Sequence, residues 1–295
     1  MNDHSHTRDD AHHHHAFDSP DMASYAEFEG EVLLDLVTQA VDVVGEFSDA
    51  HGVAVSRIHD IGSGPGVATC ALAQRFDPAF VLAVDGSAAM LERARVRAVR
   101  LGVGLQVETR QVELPAGLGT LGRADVVWAS QVLHHLQAPI ETLARMHELL
   151  EPGGLLAVVE PAGPMRVIGG DADPVRPDSW ERLDTAWTEW FTDTFTHRQG
   201  VISSANRPTM LRDAGFELVT DQMLSLTLTA PLNSQARRYA HDYIRGIRTL
   251  LTPYADAGEL EALDVLTDEN SDQSVIRRDD ARIWASRNLY IARAE

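Results

Sequence analysis

Three glycines at alternate positions, Gly62, Gly64 and Gly66, stand where the apolar run Val53 to Ile61 gives way to a helical pattern over Val67 to Arg75. A strand that turns into a helix through such a loop has no Cβ between its backbone and whatever lies against it. The start of the helix also offers amide donors to an anion. The unit then repeats. Phe80 to Val84 reads as a strand, Ala88 to Leu101 as a helix, Leu105 to Thr109 and Ala124 to Ala129 as strands, Ile140 to Leu150 as a helix and Gly154 to Glu160 as a strand. Strands and helices in alternation require parallel strands joined by right-handed crossovers and covered on both faces. The expected fold is therefore α/β, a doubly wound sheet.

The rhythm breaks after Pro161. Residues 162 to 205 begin with Gly, Pro and Asp and continue into a helical stretch holding Trp180, Trp187, Trp190, Phe191 and Phe195. Asn206 to Ala214 reads as a helix closed by Gly215, a residue suited to the left-handed position past a helix end. Phe216 to Leu228 and Ile283 to Ala292 read as strands around a mostly helical insertion, Pro231 to Asp280. Upstream, Tyr25, Phe28, Leu33, Leu36, Val37, Val41 and Val44 recur at helical spacing. The first fifteen residues hold six of the thirteen histidines, His4, His6 and His12 to His15. They have almost nothing to bury and are expected to be a disordered tail. The partition is thus a tail over 1–20 and one domain over 21–295, with helical cover insertions near 162–205 and 231–280.

All 25 positive side chains are Arg, and no Lys is present. A P-loop and Schiff-base or pyridoxal-phosphate catalysis both need a Lys, so both are excluded. With 44 carboxylates the formal charge is −19, which opposes binding to a phosphate backbone and argues against a nucleic-acid partner. No stretch approaches the roughly 20 apolar residues of a membrane span, and the start lacks the basic-then-apolar layout of a secretory signal. No membrane association and a cytoplasmic address are expected. The single cysteine, Cys70, rules out a disulfide within the chain and reads as a small buried residue. No metal site is expected.

The next strand ends in Asp85, nineteen residues past Gly66, where a carboxylate can take both hydroxyls of a ribose. Dinucleotide sites use G-x-G-x-x-G, whereas this loop is G-x-G-x-G preceded by Asp60, with Val67 where the third glycine of that fingerprint would stand. The run Asp60-Ile61-Gly62-Ser63-Gly64-Pro65-Gly66 resembles the first motif of class I S-adenosylmethionine-dependent methyltransferases, in the branch that acts on small molecules. The resemblance continues through Val81 to Ser87, Met90 to Ala94, Ala124 to Leu136 and Leu150 to Leu156.

That resemblance implies a Rossmann-like seven-stranded sheet, mostly parallel with an antiparallel last strand, and S-adenosyl-L-methionine as cofactor. It implies that Gly62, Ser63, Gly64 and Gly66 hold the methionine part with Asp60 nearby. Asp85 and Gly86 would stand at the ribose, and Met90, Val112 and Glu113 at the adenine. Ala129 and Ser130 would approach the methionine end. The implied activity is methyl transfer to an O, N or C atom of a small organic acceptor. A non-catalytic cofactor-binding protein on the same fold is the alternative, and monomer and homodimer both remain open.

An acceptor that must lose a proton calls for a base, and His134 and His135 are the candidates, with His197 behind them. The aromatic set of residues 180 to 195 reads as packing within the cover, or as the wall of an acceptor pocket. Tyr239, Tyr243 and Arg245 are weaker candidates of that kind. Arg93, Arg95, Arg97 and Arg100 read as the solvated face of a helix.

Overall fold

The computed structural model describes residues 20–170, 173–196 and 206–294, so the histidine-rich start and His197 lie outside the described residues. Its first helices are α1 (Pro20–Val32) and α2 (Leu34–Ala50). The single helix expected there is broken at Leu33, which leaves helical geometry at φ −100° and ψ 20° while its side chain stays buried.

Eight strands follow: β1 (Arg57–Ile61), β2 (Phe80–Asp85), β3 (Val107–Gln111), β4 (Ala124–Ser130), β5 (Leu150–Pro161), β6 (Arg166–Ile168), β7 (Phe216–Leu228) and β8 (Arg282–Ala294). Between them run α3 (Val67–Arg75), α4 (Ala88–Arg100), α5 (Pro139–Glu148), α6 (Pro177–Thr196), α7 (Arg207–Asp213), α8 (Ser234–Leu250) and α9 (Ala257–Thr267). The strand order is β3-β2-β1-β4-β5-β8-β6, with β7 beside β8. Among the described residues the count is eight where seven were expected. The extra strand is β6, which pairs antiparallel with β8 through Arg166–Trp284, Val167–Ile283 and Ile168–Arg282. Three residues between glycine-rich segments are too few to display a period in sequence.

β1 lies between β2 and β4, parallel to both. The chain therefore winds outward in one direction through β2 and β3 and in the other through β4 and β5. Such a reversal leaves a crevice outside the carboxyl ends of the central strands, where ligands of this fold class bind.

The chain divides into two compact units. One comprises residues up to Val159 with 208–221 and 290 onward, and the other comprises 160–207 and 222–289. In the first unit the core is built from fully buried apolar residues of the strands, including Ile58, Ile61, Ala83, Val84, Val126, Val127 and Ala129. Cys70, on α3, is buried there as expected, and burial pushes its thiol up to about 11, so it stays neutral. In the second unit α6 buries Trp180, Phe191 and Phe195. Its aromatics pack on one another, Trp187 stacked on Phe191 at 4.9 Å and Phe191 against Phe195 at 4.7 Å. Tyr239 is buried, the Tyr243 hydroxyl accepts the Met165 amide at 2.8 Å, and Arg245 is exposed. No helix among the described residues is long and apolar enough to cross a membrane.

The arginines of α4 form a solvated face only at Arg95 and Arg100, each more than half exposed. Arg97 is only 4% exposed and reaches Glu27 at 3.2 Å and Glu31 at 2.8 Å, both on α1. Arg93 reaches Glu27 at 2.7 Å and Arg100 reaches Glu31 at 3.0 Å. Residue numbers rise together along the two helices, so α1 lies parallel to α4. Gly30 makes a second close approach, since a Cβ there would stand 2.6 Å from Val67 Cγ2 at the start of α3. Burial alone would raise the Glu31 carboxyl, but hydrogen bonds from Arg100 and Arg97 hold it below its ordinary value. Arg97→Met removes the central cation and leaves two half-shielded carboxylates facing each other. It should destabilise the protein by about 2 kcal/mol in urea unfolding at pH 7. Because Glu31 is lowered, the clasp contributes above the ordinary carboxylate pKa and fades as pH falls, so the variant and the parent should converge in acid.

Candidate functional site

The glycine loop is held from behind by β2. Gly62 N and Ser63 N both donate to the Val84 carbonyl, at 2.8 and 3.0 Å, and Gly66 N closes the turn on Ser63 O at 3.1 Å. All three glycines have positive φ, +71°, +52° and +76°, a region that costs an L residue about 1–2 kcal/mol. Their surroundings differ. A Cβ on Gly62 would run into the Val132 side chain, and one on Gly66 would come within 2.8 Å of the Ala94 Cα. A Cβ on Gly64 would meet nothing within 4 Å. Two of the glycines thus permit packing, and the middle one leaves an open cradle.

Two carboxylates flank that cradle. Asp85 ends β2, and its Oδ2 accepts Gly64 N at 2.9 Å while Oδ1 accepts Ser87 N at 2.9 Å. Ser87 also caps α4, its hydroxyl accepting Met90 N at 3.3 Å. Asp60 is 1% exposed and takes the Thr69 hydroxyl at 2.5 Å. Burial raises its carboxyl to about 7, the charge of Asp85 adds to the rise, and the hydrogen bonds from Thr69 oppose it. Ser63 Oγ, in the loop itself, is buried without a hydrogen-bond partner, and such a group is stabilised when a ligand supplies the missing bond.

The far wall comes from β3. Val112 is buried and its amide donates to Asp85 O at 3.0 Å, so the chain following β3 is tied to the end of β2. That amide is committed, which leaves the Val112 side chain as an apolar wall and not a reader of a ligand edge. Glu113 is exposed, with its carboxylate oxygens 3.6 and 3.7 Å from where a Gly86 Cβ would be. Gln111 Nε2 donates to Gly86 O at 2.7 Å. Met90 is buried on the first turn of α4.

At the end of β4, Ala129 is buried and Ser130 half-buried. Gln131 follows at φ +55°, and its amide donates to Val159 O at 2.7 Å. A non-glycine residue in that region stores about 1–3 kcal/mol of strain, and such residues cluster at functional sites. His134 and His135 lie in the short 3-10 turn beyond, with ring centroids 4.0 Å apart; His134 is buried and His135 exposed.

In the structure Asp60, Gly62, Ser63, Gly64 and Gly66 stand between β1 and α3, Asp85, Gly86 and Met90 between β2 and α4, and Val112 and Glu113 just past β3. Four residues went unnoticed in sequence: Thr69, Ser87, Gln131 and Val132. Ser87, three residues before the amide it caps, carried a readable helix-start signal. Gln131 carried none, because nothing in a residue's identity announces a strained φ.

Residues 59–156 match the family described as a methyltransferase domain. The Gly64 loop and Asp85 lie within that stretch. Residues 59–156 form a class I methyltransferase domain. Trans-aconitate 2-methyltransferase of Methylobacterium radiotolerans is 42% identical to the chain over 103 residues, 35% of this chain and 36% of that protein. An uncharacterised 37.1 kDa protein in transposon TN4556 of Streptomyces fradiae is 31% identical over 208 residues, 69% of this chain and 54% of that protein. The chain thus spans about a third to about half the length of these relatives. Among solved structures, magnesium protoporphyrin IX methyltransferase of Synechocystis aligns with a TM-score of 0.52 at 16% identity, covering 95% of this chain and 96% of that one. The YcgJ protein of Bacillus subtilis aligns with a TM-score of 0.51 at 19% identity, covering 86% and 97%. At these identities the structural likenesses concern the fold alone.

The glycines of the methyltransferase loop should separate by substitution. Gly66→Ala combines strain with a clash against the α4 backbone and is expected to lower stability by about 3 kcal/mol or more, against about 1 kcal/mol for Gly64→Ala, in denaturant unfolding without ligand. Asp60 holds a proton in the folded state that the unfolded chain has already released between pH ~4 and ~7. Stability of the ligand-free protein should therefore fall as pH rises through that window, with an Asp60 share of at most about 1.4 kcal/mol per pH unit. Asp60→Asn should flatten that slope in thermal melts.

Proposed function

We propose that this chain transfers a methyl group from S-adenosyl-L-methionine to an oxygen, nitrogen or carbon atom of a small organic acceptor. The observation that carries the reading is the open Gly64 cradle set between Asp85 and the unpartnered Ser63 hydroxyl. When bound, the cofactor supplies an electrophilic methyl on a sulfonium. The acceptor's electron pair forms the new bond to carbon as the carbon–sulfur pair returns to sulfur.

The protein's part is to bind and align. Asp85, held by Gly64 N and Ser87 N, accepts the ribose hydroxyls. Gly64 and Ser63 line the methionine portion, and Asp60, poised near neutrality, ionises beside its positive charge. Met90 and Val112 form the apolar wall of the adenine site, with Glu113 at its rim. Ala129 and Ser130 face the methionine end from β4. Holding acceptor, carbon and sulfur in line can itself supply as much as ~7–11 kcal/mol of the barrier reduction.

The relatives named for trans-aconitate make a carboxylate the first acceptor to try, and an ionised oxygen needs no base. For a phenol or alcohol, His134 or His135 takes the proton. The net charge of −19 favours a small acceptor over nucleic acid, and the lone Cys70 accords with action in the cytoplasm.

Calorimetric titration with S-adenosylhomocysteine should give saturable binding that Asp85→Ala weakens about 10–100-fold, as expected for lost charge-assisted hydrogen bonds. An unchanged affinity would remove Asp85 from the site. Mass-detected transfer to trans-aconitate and to panels of phenols and amines tests the chemistry. Tight binding with no transfer to any acceptor class would favour the non-catalytic reading. With a phenol acceptor, alanine at the His that acts as base should lower kcat, leaving S-adenosylhomocysteine affinity unchanged.

A further inference from the structure

β3 ends the strand order, so one of its edges has no strand beside it among the described residues. Which backbone groups face that edge follows from the bonds on the other side. Val81 N donates to Gln106 O and Val112 N donates to Asp85 O, at 2.8 and 3.0 Å. In a parallel ladder the bonded residues alternate, so residues 106, 108, 110 and 112 turn their backbone toward β2. Val107, Thr109 and Gln111 turn theirs to the free edge.

The side chains along this edge are unusual in sign. Glu108 and Arg110 are both exposed and project from the same face of the strand, two residues apart with opposite charge. Thr109 points to the opposite face, where its hydroxyl accepts Arg95 Nη2 from α4 at 3.1 Å. Beside it the structure leaves an apolar strip uncovered: Val96 is 58% exposed, Val99 70% and Leu105 96%. A Cβ on Gly104 would stand 3.2 Å from Val99 Cγ2, so the turn bearing Leu105 continues the strip from α4.

We propose that two copies of this chain associate by antiparallel pairing of their β3 edges about a two-fold axis at Thr109. In that register Thr109 faces its own copy and Val107 faces Gln111, all three with backbone groups directed at the partner, so the ladder closes. Glu108 then faces Arg110 twice, at the non-hydrogen-bonded positions where side chains come closest. No other register does this. A slip by one residue opposes inward-facing with outward-facing backbone. A slip by two sets Glu108 against Glu108 or Arg110 against Arg110. Exposed edges are commonly blunted with charge, but a run of one sign would repel a second copy in the centred register, whereas this pair attracts there and repels at the two-residue slips. The two-fold arrangement also makes the contact isologous and therefore closed.

Sedimentation velocity over about 1–100 µM protein tests the contact. The parent chain should sediment as a dimer. Glu108→Arg and Arg110→Glu each create like-charge pairs at both crossings and should raise the dissociation constant at least about tenfold. Mixed in equal amounts, the two variants should recover a heterodimer, since each then opposes the charge of the other. The double variant Glu108→Arg with Arg110→Glu should dimerise like the parent. A parent that stays monomeric across the range, single variants that dimerise unimpaired, or a mixture that fails to pair would each overturn the proposal.

Discussion

Two amides of the glycine loop, Gly62 N and Ser63 N, hang from one carbonyl, that of Val84. The remaining geometry of the candidate site follows from that attachment. It fixes the loop between β1 and α3 against the end of β2, and so brings Gly64 N within 2.9 Å of the Asp85 carboxylate. Asp85 in turn holds Ser87, which starts α4, and its carbonyl takes the Val112 amide that starts the segment after β3. The ends of three strands and the starts of two helices are thereby linked through a few backbone hydrogen bonds. Glycine is required at 62 and 66 because each packs closely on a neighbour at positive φ.

The electrostatics of the first unit have a matching economy. With no lysine in the chain, each cation is a planar guanidinium able to serve two carboxylates at once. Arg97 uses that capacity between Glu27 and Glu31, which draws α1 along α4 and over the start of α3. At the crevice the sign reverses. Asp60, Asp85 and Glu113 stand there, and Asp60 keeps a proton near pH 7 because burial and Asp85 both disfavour its charge. A site so arranged favours a cation, which suits a sulfonium better than a pyrophosphate.

Much of the fold was legible because its signals are local. The strands at residues 80–85 and 124–130 are short apolar runs between helical patterns, and the structure places them within one residue of expectation. β6 was not legible: three residues become a strand only because β8 lies beside them. The arginines of α4 misled for a related reason. Their spacing marks a polar face, and whether that face meets water or Glu27 and Glu31 depends on a helix some seventy residues away in sequence. The same limit applies to Val112, since nothing in its position along the chain says that its amide is engaged by Asp85 O.

By itself the sequence determined the alternation of strand and helix, the glycine loop at the first crossover and the carboxylates at positions 60 and 85, since each is a property of neighbouring residues and their period. Only the tertiary structure decided which of the three glycines is open and which two are packed. It also decided that Asp60 holds a proton, that Gln131 is forced to φ +55°, and that β3 is left at an edge. These are outcomes of what lies across space from a residue, and φ, burial and edge position are assigned by packing after the local elements have formed.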